Sequence, residues 1–138
     1  MASILKVDTL TGVTTAGSIS VTGEGNSTTT NLQQGLAKAW IDFNGTGTIA
    51  IADSFNIASI ADNNTGDYSV TIANDMANAN YVHAGNSGGA NSTSAGAVYA
   101  NDQSTARTTT LFRVYTLTAS AGTVDTPTIN IIVSGDLA

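Results

Sequence analysis

The sequence predicts an all-β protein, with an antiparallel β-sandwich or jelly-roll body at residues 37–138 and an extended N-terminal arm with a short helical hinge at residues 1–36. Three observations carry this. About eight short apolar alternations follow one another over roughly 100 residues, the density of a small all-β domain. Clusters of Gly, Asn and Asp punctuate them. Helical periodicity is almost absent, and the aromatic residues begin only at Trp40.

The first 36 residues hold no aromatic side chain, yet Ile4, Val7, Leu10, Val13, Ala16 and Ile19 recur at every third position. Steps of three sweep around an α-helix and alternate faces on a strand, so neither element collects them on one side. An extended conformation with three residues per turn does. Gly12, Gly17, Gly23 and Gly25, among many Thr and Ser, also argue against a helix. Such a line has no private core to enter and is useful only against another surface, most simply the same line on two sister chains. The reading is an arm that breaks at Gly23-Glu24-Gly25-Asn26-Ser27. In residues 27–38 a hydroxyl-rich cap and the i,i+4 pair Leu32/Leu36 fit one or two helical turns. Candidate interface residues are therefore Ile4, Val7, Leu10, Val13, Ile19, Leu32 and Leu36, with Trp40 at the junction.

From Ala39 the period changes to two. Ala39, Ile41 and Phe43 share one side and Lys38, Trp40 and Asp42 the other. Asn44-Gly45-Thr46-Gly47 supplies a turn and residues 48–51 a return strand. Phe55 and Ile57 alternate as far as Ile60, Asp62–Asp67 turns the chain, and Tyr68, Val70 and Ile72 share a face. Further strands are expected at 81–84, 97–100, 110–118 and 128–133, with Pro127 where a strand begins. Residues 85–96, small and mostly polar, read as a long exposed loop.

Composition removes several function classes. The chain of 138 residues has 4 Lys+Arg against 10 Asp+Glu, a net charge of -6, and its basic residues are scattered, which excludes an electrostatic nucleic-acid footprint and a polybasic membrane surface. No cysteine occurs, so there is no thiolate chemistry or disulfide framework. No run of apolar residues is long enough to span a bilayer or to read as a cleaved signal, so membrane insertion is not expected. Ile, Leu, Val and Phe make up only 30 of the 138 positions, a lean supply for a solitary core. Burial shared between chains is the expected remedy.

The residues also carry a resemblance. The set Ala39-Trp40-Ile41-Asp42-Phe43-Asn44-Gly45-Thr46-Gly47-Thr48, Ser54-Phe55-Asn56-Ile57-Ala58-Ser59-Ile60, Gly66-Asp67-Tyr68-Ser69-Val70, Met76 and Asn80-Tyr81 resembles a module of tail-fibre-like structural proteins of tailed, especially marine, bacteriophages. The opening Ser3-Ile4-Leu5-Lys6-Val7-Asp8-Thr9-Leu10-Thr11-Gly12 is similar to the start of many of them. Members often place a proline after this Met, where the present chain has Ala77. The resemblance implies a trimeric virion protein of the fibre, knob or head-decoration class. The expected function is thus a homotrimeric, non-enzymatic virion component that attaches by its arm to tail or capsid proteins and presents its body outward, for recognition of a host-surface glycan. A capsid decoration protein and a carbohydrate-binding module are the alternatives.

Catalytic, metal and cofactor sites are not expected. The one histidine, His83, lies in an expected strand without a nucleophile motif around it. The Asp62–Asp67 turn lacks the spacing of a calcium loop, and Gly45-Thr46-Gly47 lacks the lysine of a phosphate loop. Sugar recognition on a β-sheet needs an exposed ring beside amides or carboxylates. Trp40, Tyr68, Tyr81, Tyr99 and Tyr115 are the rings available. Tyr81, His83 and Tyr99 are the candidate ligand contacts, and the 85–96 loop is the other candidate surface. Trp40, on the polar side of its strand with Lys38 and Asp42, is assigned first to the interface.

Overall fold

Every second side chain from Ala39 to Asn44 is buried and the rest are half-exposed, the signature of a strand with one face on a core. The computed structural model in which this is seen describes residues 4–13, 18–23, 28–88, 97–100 (backbone alone), 107–118 and 122–138. The chain is mostly antiparallel β-structure, with one helical turn among the described residues. It divides into two units, Met1–Leu36 and Ala37–Ala138.

In the first unit, β1 (Ser20–Thr22) pairs antiparallel with β2 (Thr29–Asn31), a hairpin that the period-three reading does not foresee. Its two ends meet where the Gly23 N–H donates to the Thr28 carbonyl at 2.9 Å. The expected break at 23–27 is the connection between these strands, and residues 24–27 lie outside the described residues. The helix is a single turn, α1 (Leu32–Gly35). Its cap is Asn31, whose side chain accepts the Gln33 N–H at 2.8 Å.

The second unit holds two four-stranded antiparallel sheets. One contains β3 (Ala39–Asn44), β4 (Ala50–Phe55), β7 (Val82–Gly88) and β10 (Thr128–Ser134), in the order β4-β3-β10-β7. The other contains β5 (Ile57–Asn64), β6 (Asp67–Ile72), β8 (Ala97–Ala100) and β9 (Leu111–Leu117), in the order β5-β6-β9-β8. Their alternating buried residues form one cluster: Ile41 and Phe43 from β3 and Ile129, Ile131 and Val133 from β10, with Tyr68 and Val70 from β6 and Phe112 and Val114 from β9. The rings of Phe43 and Tyr68 meet edge to face with centroids 5.3 Å apart.

Three details depart from the linear reading. Phe55 and Ile57 do not share a strand, because Asn56 between them takes φ 57 and the chain changes sheet there. The Asn56 amide holds the crossing: Nδ2 donates to the Lys38 carbonyl at 2.9 Å, and Oδ1 accepts the Asn74 N–H at 2.7 Å. The Asp62–Asp67 turn contracts to Thr65-Gly66, since Asp62–Asn64 continue β5. And β7 runs through Gly85–Gly88, residues expected in a loop. Pairing with β10 from Thr128↔Gly88 to Ser134↔Val82 satisfies their backbone, and ladder bonds need no bulky side chain. The remainder of that expected loop, 89–96, lies outside the described residues.

Ala77 closes the chain's end. Its N–H donates to the Asp136 carbonyl at 2.8 Å, a bond that a proline at this position could not make. Asp67, 5% exposed, is paired with Arg113, whose Nε lies 2.6 Å from Oδ1, and accepts from Asn63 Nδ2 at 3.2 Å. A buried carboxylate needs such partners to keep its charge.

Candidate functional site

The outer face of the β4-β3-β10-β7 sheet is ordered by strand register into two parallel rows. Trp40 pairs with Phe55 on one side and Ile132 on the other, and Ile132 pairs with Ala84. An apolar row therefore crosses all four strands, with Phe55 52% and Ile132 49% exposed and the indole of Trp40 half-buried between them. Two residues along each strand, Asp42 pairs with Asp53 and with Asn130, and Asn130 pairs with Asn86. This second row is entirely carboxylate and amide. Because side chains two apart on a strand point the same way, the rows lie side by side about 7 Å apart.

Local chemistry fixes the polar row. Asn130 Nδ2 donates to Asp42 Oδ1 at 2.8 Å, which orients both groups. Asp42 and Asp53 stand opposite one another, and like charges in directly opposed positions oppose strand pairing. A shallow depression of about 490 Å³ runs over this face, with Trp40, Asp42, Ala84, Asn86, Asn130 and Ile132 in its lining. Its inventory is one flat aromatic ring, flanking aliphatic surface, and carboxylate and amide groups that accept and donate hydrogen bonds.

The residues expected to form an interface lie in the two units. In the first, Ile4 (78% exposed), Val7, Leu10 and Val13 (96%) all face outward, Ile19 and Leu32 are half-buried, and Leu36 is exposed. The Ile19 carbonyl accepts the Leu32 N–H at 2.8 Å. Trp40 belongs to the second unit and to the apolar row.

Of the three candidate ligand contacts, Tyr81 is 2% exposed, and its hydroxyl donates to the Leu111 carbonyl at 3.2 Å. His83 stacks on Phe112 with ring centroids 4.7 Å apart and beside Tyr81 at 6.4 Å. Burial, helped by the neighbouring Arg107 cation, pushes the His83 pKa down to about 4, so the ring is neutral at pH 7. Both rings point inward, so their faces are spent on packing. The side chain of Tyr99 lies outside the described residues. The linear reading missed Asp53, Phe55, Asn130 and Ile132, and placed Asn86 in a candidate loop surface, whereas it lies on β7. Alternation separates Asn130 and Ile132 from the buried Ile129, Ile131 and Val133, but only pairing brings them beside Trp40.

Among the described residues no group of three His, Asp or Glu side chains is placed to hold a metal ion. No helix among them is long and apolar enough to cross a membrane. No protein-family model, curated protein or solved structure matches the chain.

Proposed function

We propose that this chain is a non-enzymatic structural subunit of a virion, a fibre- or knob-like component that trimerises and attaches through residues 1–36 and displays residues 37–138 as a β-sandwich. The observation that carries the assembly reading is the contrast between the two units. The second encloses its own core, whereas Ile4, Val7, Leu10 and Val13 of the first lie open to water at a regular spacing of three. Burying each against a neighbouring chain is worth roughly 1.5–3 kcal/mol, and a threefold bundle of extended segments is the geometry that uses this period. The sandwich reading is supported by the single cluster to which both sheets contribute and by the Phe43–Tyr68 contact. The virion reading rests on the resemblance carried by residues 3–12 and 39–82.

Light scattering of the full chain and of residues 37–138 tests the assembly. A trimer for the first and a folded monomer for the second are expected. A full chain that is monomeric at micromolar concentration overturns the reading. Imaging intact particles with a tagged subunit tests the location, with a few copies at the tail expected.

A further inference from the structure

We propose that the outer face of the β4-β3-β10-β7 sheet binds a neutral oligosaccharide, with Trp40 as the stacking platform and Asp42, Asn86 and Asn130 as hydrogen-bonding partners of its hydroxyls. A pyranose ring has one face rich in C–H groups and a rim of hydroxyls, each both donor and acceptor. The face repeats that division, with Phe55, Trp40 and Ile132 in one row and Asp42, Asn130 and Asn86 in the next. The indole offers a flat apolar surface to the C–H face. A carboxylate accepts from a hydroxyl, and an amide both donates and accepts, so neighbouring hydroxyls find complementary partners along the polar row. Strands about 4.8 Å apart set the pitch of these groups. The depression is shallow and its lining comes from β3, β10 and β7, which suits a chain of sugars laid across these strands and not a small enclosed ligand.

Charge selects among occupants. The polar row carries two carboxylates and no cation, which disfavours phosphorylated, sulfated or uronic-acid ligands. A second copy of the body is a poor match as well. Its Lys38 is 6% exposed, its Arg107 donates from Nη1 to the Tyr81 carbonyl at 2.7 Å, and its Arg113 is paired with Asp67, so none is presented toward an acidic row. A metal ion is not favoured either, because one Asp42 oxygen is already taken by Asn130.

Trp40 is the one tryptophan in the sequence, so emission excited at the red edge of the absorption band, where the four tyrosines do not absorb, reports this face. The full chain would be titrated with cellohexaose and with β-1,4-mannohexaose, and with oligogalacturonate as the charged control. At least one neutral probe is expected to shift the emission saturably, and the oligogalacturonate to do so at least tenfold more weakly. Asn86→Ala, at an exposed position on an edge strand, should weaken binding about three- to tenfold, the loss of one or two hydrogen bonds. Trp40→Ala, followed by ligand-observed NMR, should weaken it more than tenfold with an unchanged circular dichroism spectrum. No response to either neutral probe, or binding that survives Trp40→Ala, overturns the proposal. So does an emission change that follows protein concentration in step with particle mass, since a second copy would then cover the face. Glycan binding by a chain that proves monomeric would leave this inference standing and remove the trimer reading.

Discussion

The phenol of Tyr68 lies 2.8 Å from Oδ1 of Asp125, the same oxygen that accepts the Gly66 N–H at 2.6 Å. It also lies 3.0 Å from the Gly45 carbonyl. One side chain thereby ties the turn after β3, the turn between β5 and β6, and the segment leading into β10. Burial and the Asp125 carboxylate raise the Tyr68 pKa, so the hydroxyl remains a donor throughout the physiological range. Tyr68→Phe should cost about 1–2 kcal/mol in urea denaturation, and Asp125→Ala more, because it strips the acceptor from two donors at once. A loss below about 0.5 kcal/mol in both variants would show that the two turns and the segment before β10 are held by packing alone.

Gly47 and Gly66 take nearly the same left-handed conformation, φ 64 and φ 63, in different surroundings. A Cβ on Gly47 meets nothing within 4 Å, whereas on Gly66 it would lie 2.6 Å from the Thr116 carbonyl oxygen and 2.7 Å from the Val124 nitrogen. Gly47→Ala should therefore cost only the conformational strain, about 1–2 kcal/mol. Gly66→Ala adds collision with backbone that cannot rotate away, for a loss at least about 2 kcal/mol larger. Thermal denaturation of the two variants checks the difference, and equal losses would refute the steric account.

Since His83 binds its proton more weakly when folded, with a pKa near 4 against 6.5 in a free chain, acid favours the unfolded state. Its contribution is complete above about pH 6.5 and is lost as the pH falls from there toward 4. Nε2 of His83 is buried without a hydrogen-bond partner among the described residues, and the ring faces Tyr81 and Phe112 with Arg107 nearby. Relative to a His83→Gln variant, the parent should lose on the order of 1–2 kcal/mol between pH 7 and pH 4, after allowance for the solvent that reaches a partly buried ring. A stability difference independent of pH across that interval would place the ring in water.

Replacing Leu10 by Asp puts a charge into the exposed line of residues 4–13. The expected result is loss of the oligomer by light scattering, with the melting temperature of the β-sheet unit unchanged within about 2 °C. Phe112→Ala should do the opposite, lowering that melting temperature sharply through a cavity worth about 3–5 kcal/mol. Salt discriminates the mechanism. Apolar association should tolerate 1 M NaCl, and dissociation at that ionic strength would assign the contact to ion pairs.

The one-sided strands were legible because alternation at Ala39–Asn44, Asp67–Ile72 and Leu111–Leu117 marks a buried face directly. Edge strands were less so. β4 and β5 bury almost nothing, and their alternation carries little contrast. The crossing at Asn56 was hidden, since Phe55 and Ile57 continue the alternation across a residue that reverses the backbone. Of the candidate binding face only Trp40 beside Asp42 was readable, and Tyr81 and His83 drew attention as polar aromatics although their rings pack on Phe112.

The sequence by itself determined that the chain is β-rich, which side of each central strand seeks the core, and that residues 1–36 differ in kind from residues 37–138, because these depend on neighbours within a few positions. The tertiary structure alone decided which strands lie side by side. Asp42 and Asn130 are 88 positions apart and form a hydrogen bond at 2.8 Å, and Trp40 meets Ile132 only through the β3–β10 register. Register is a long-range quantity, set by how two sheets fill one core, and a one-residue slip would turn Asn130 and Ile132 inward and dissolve both rows.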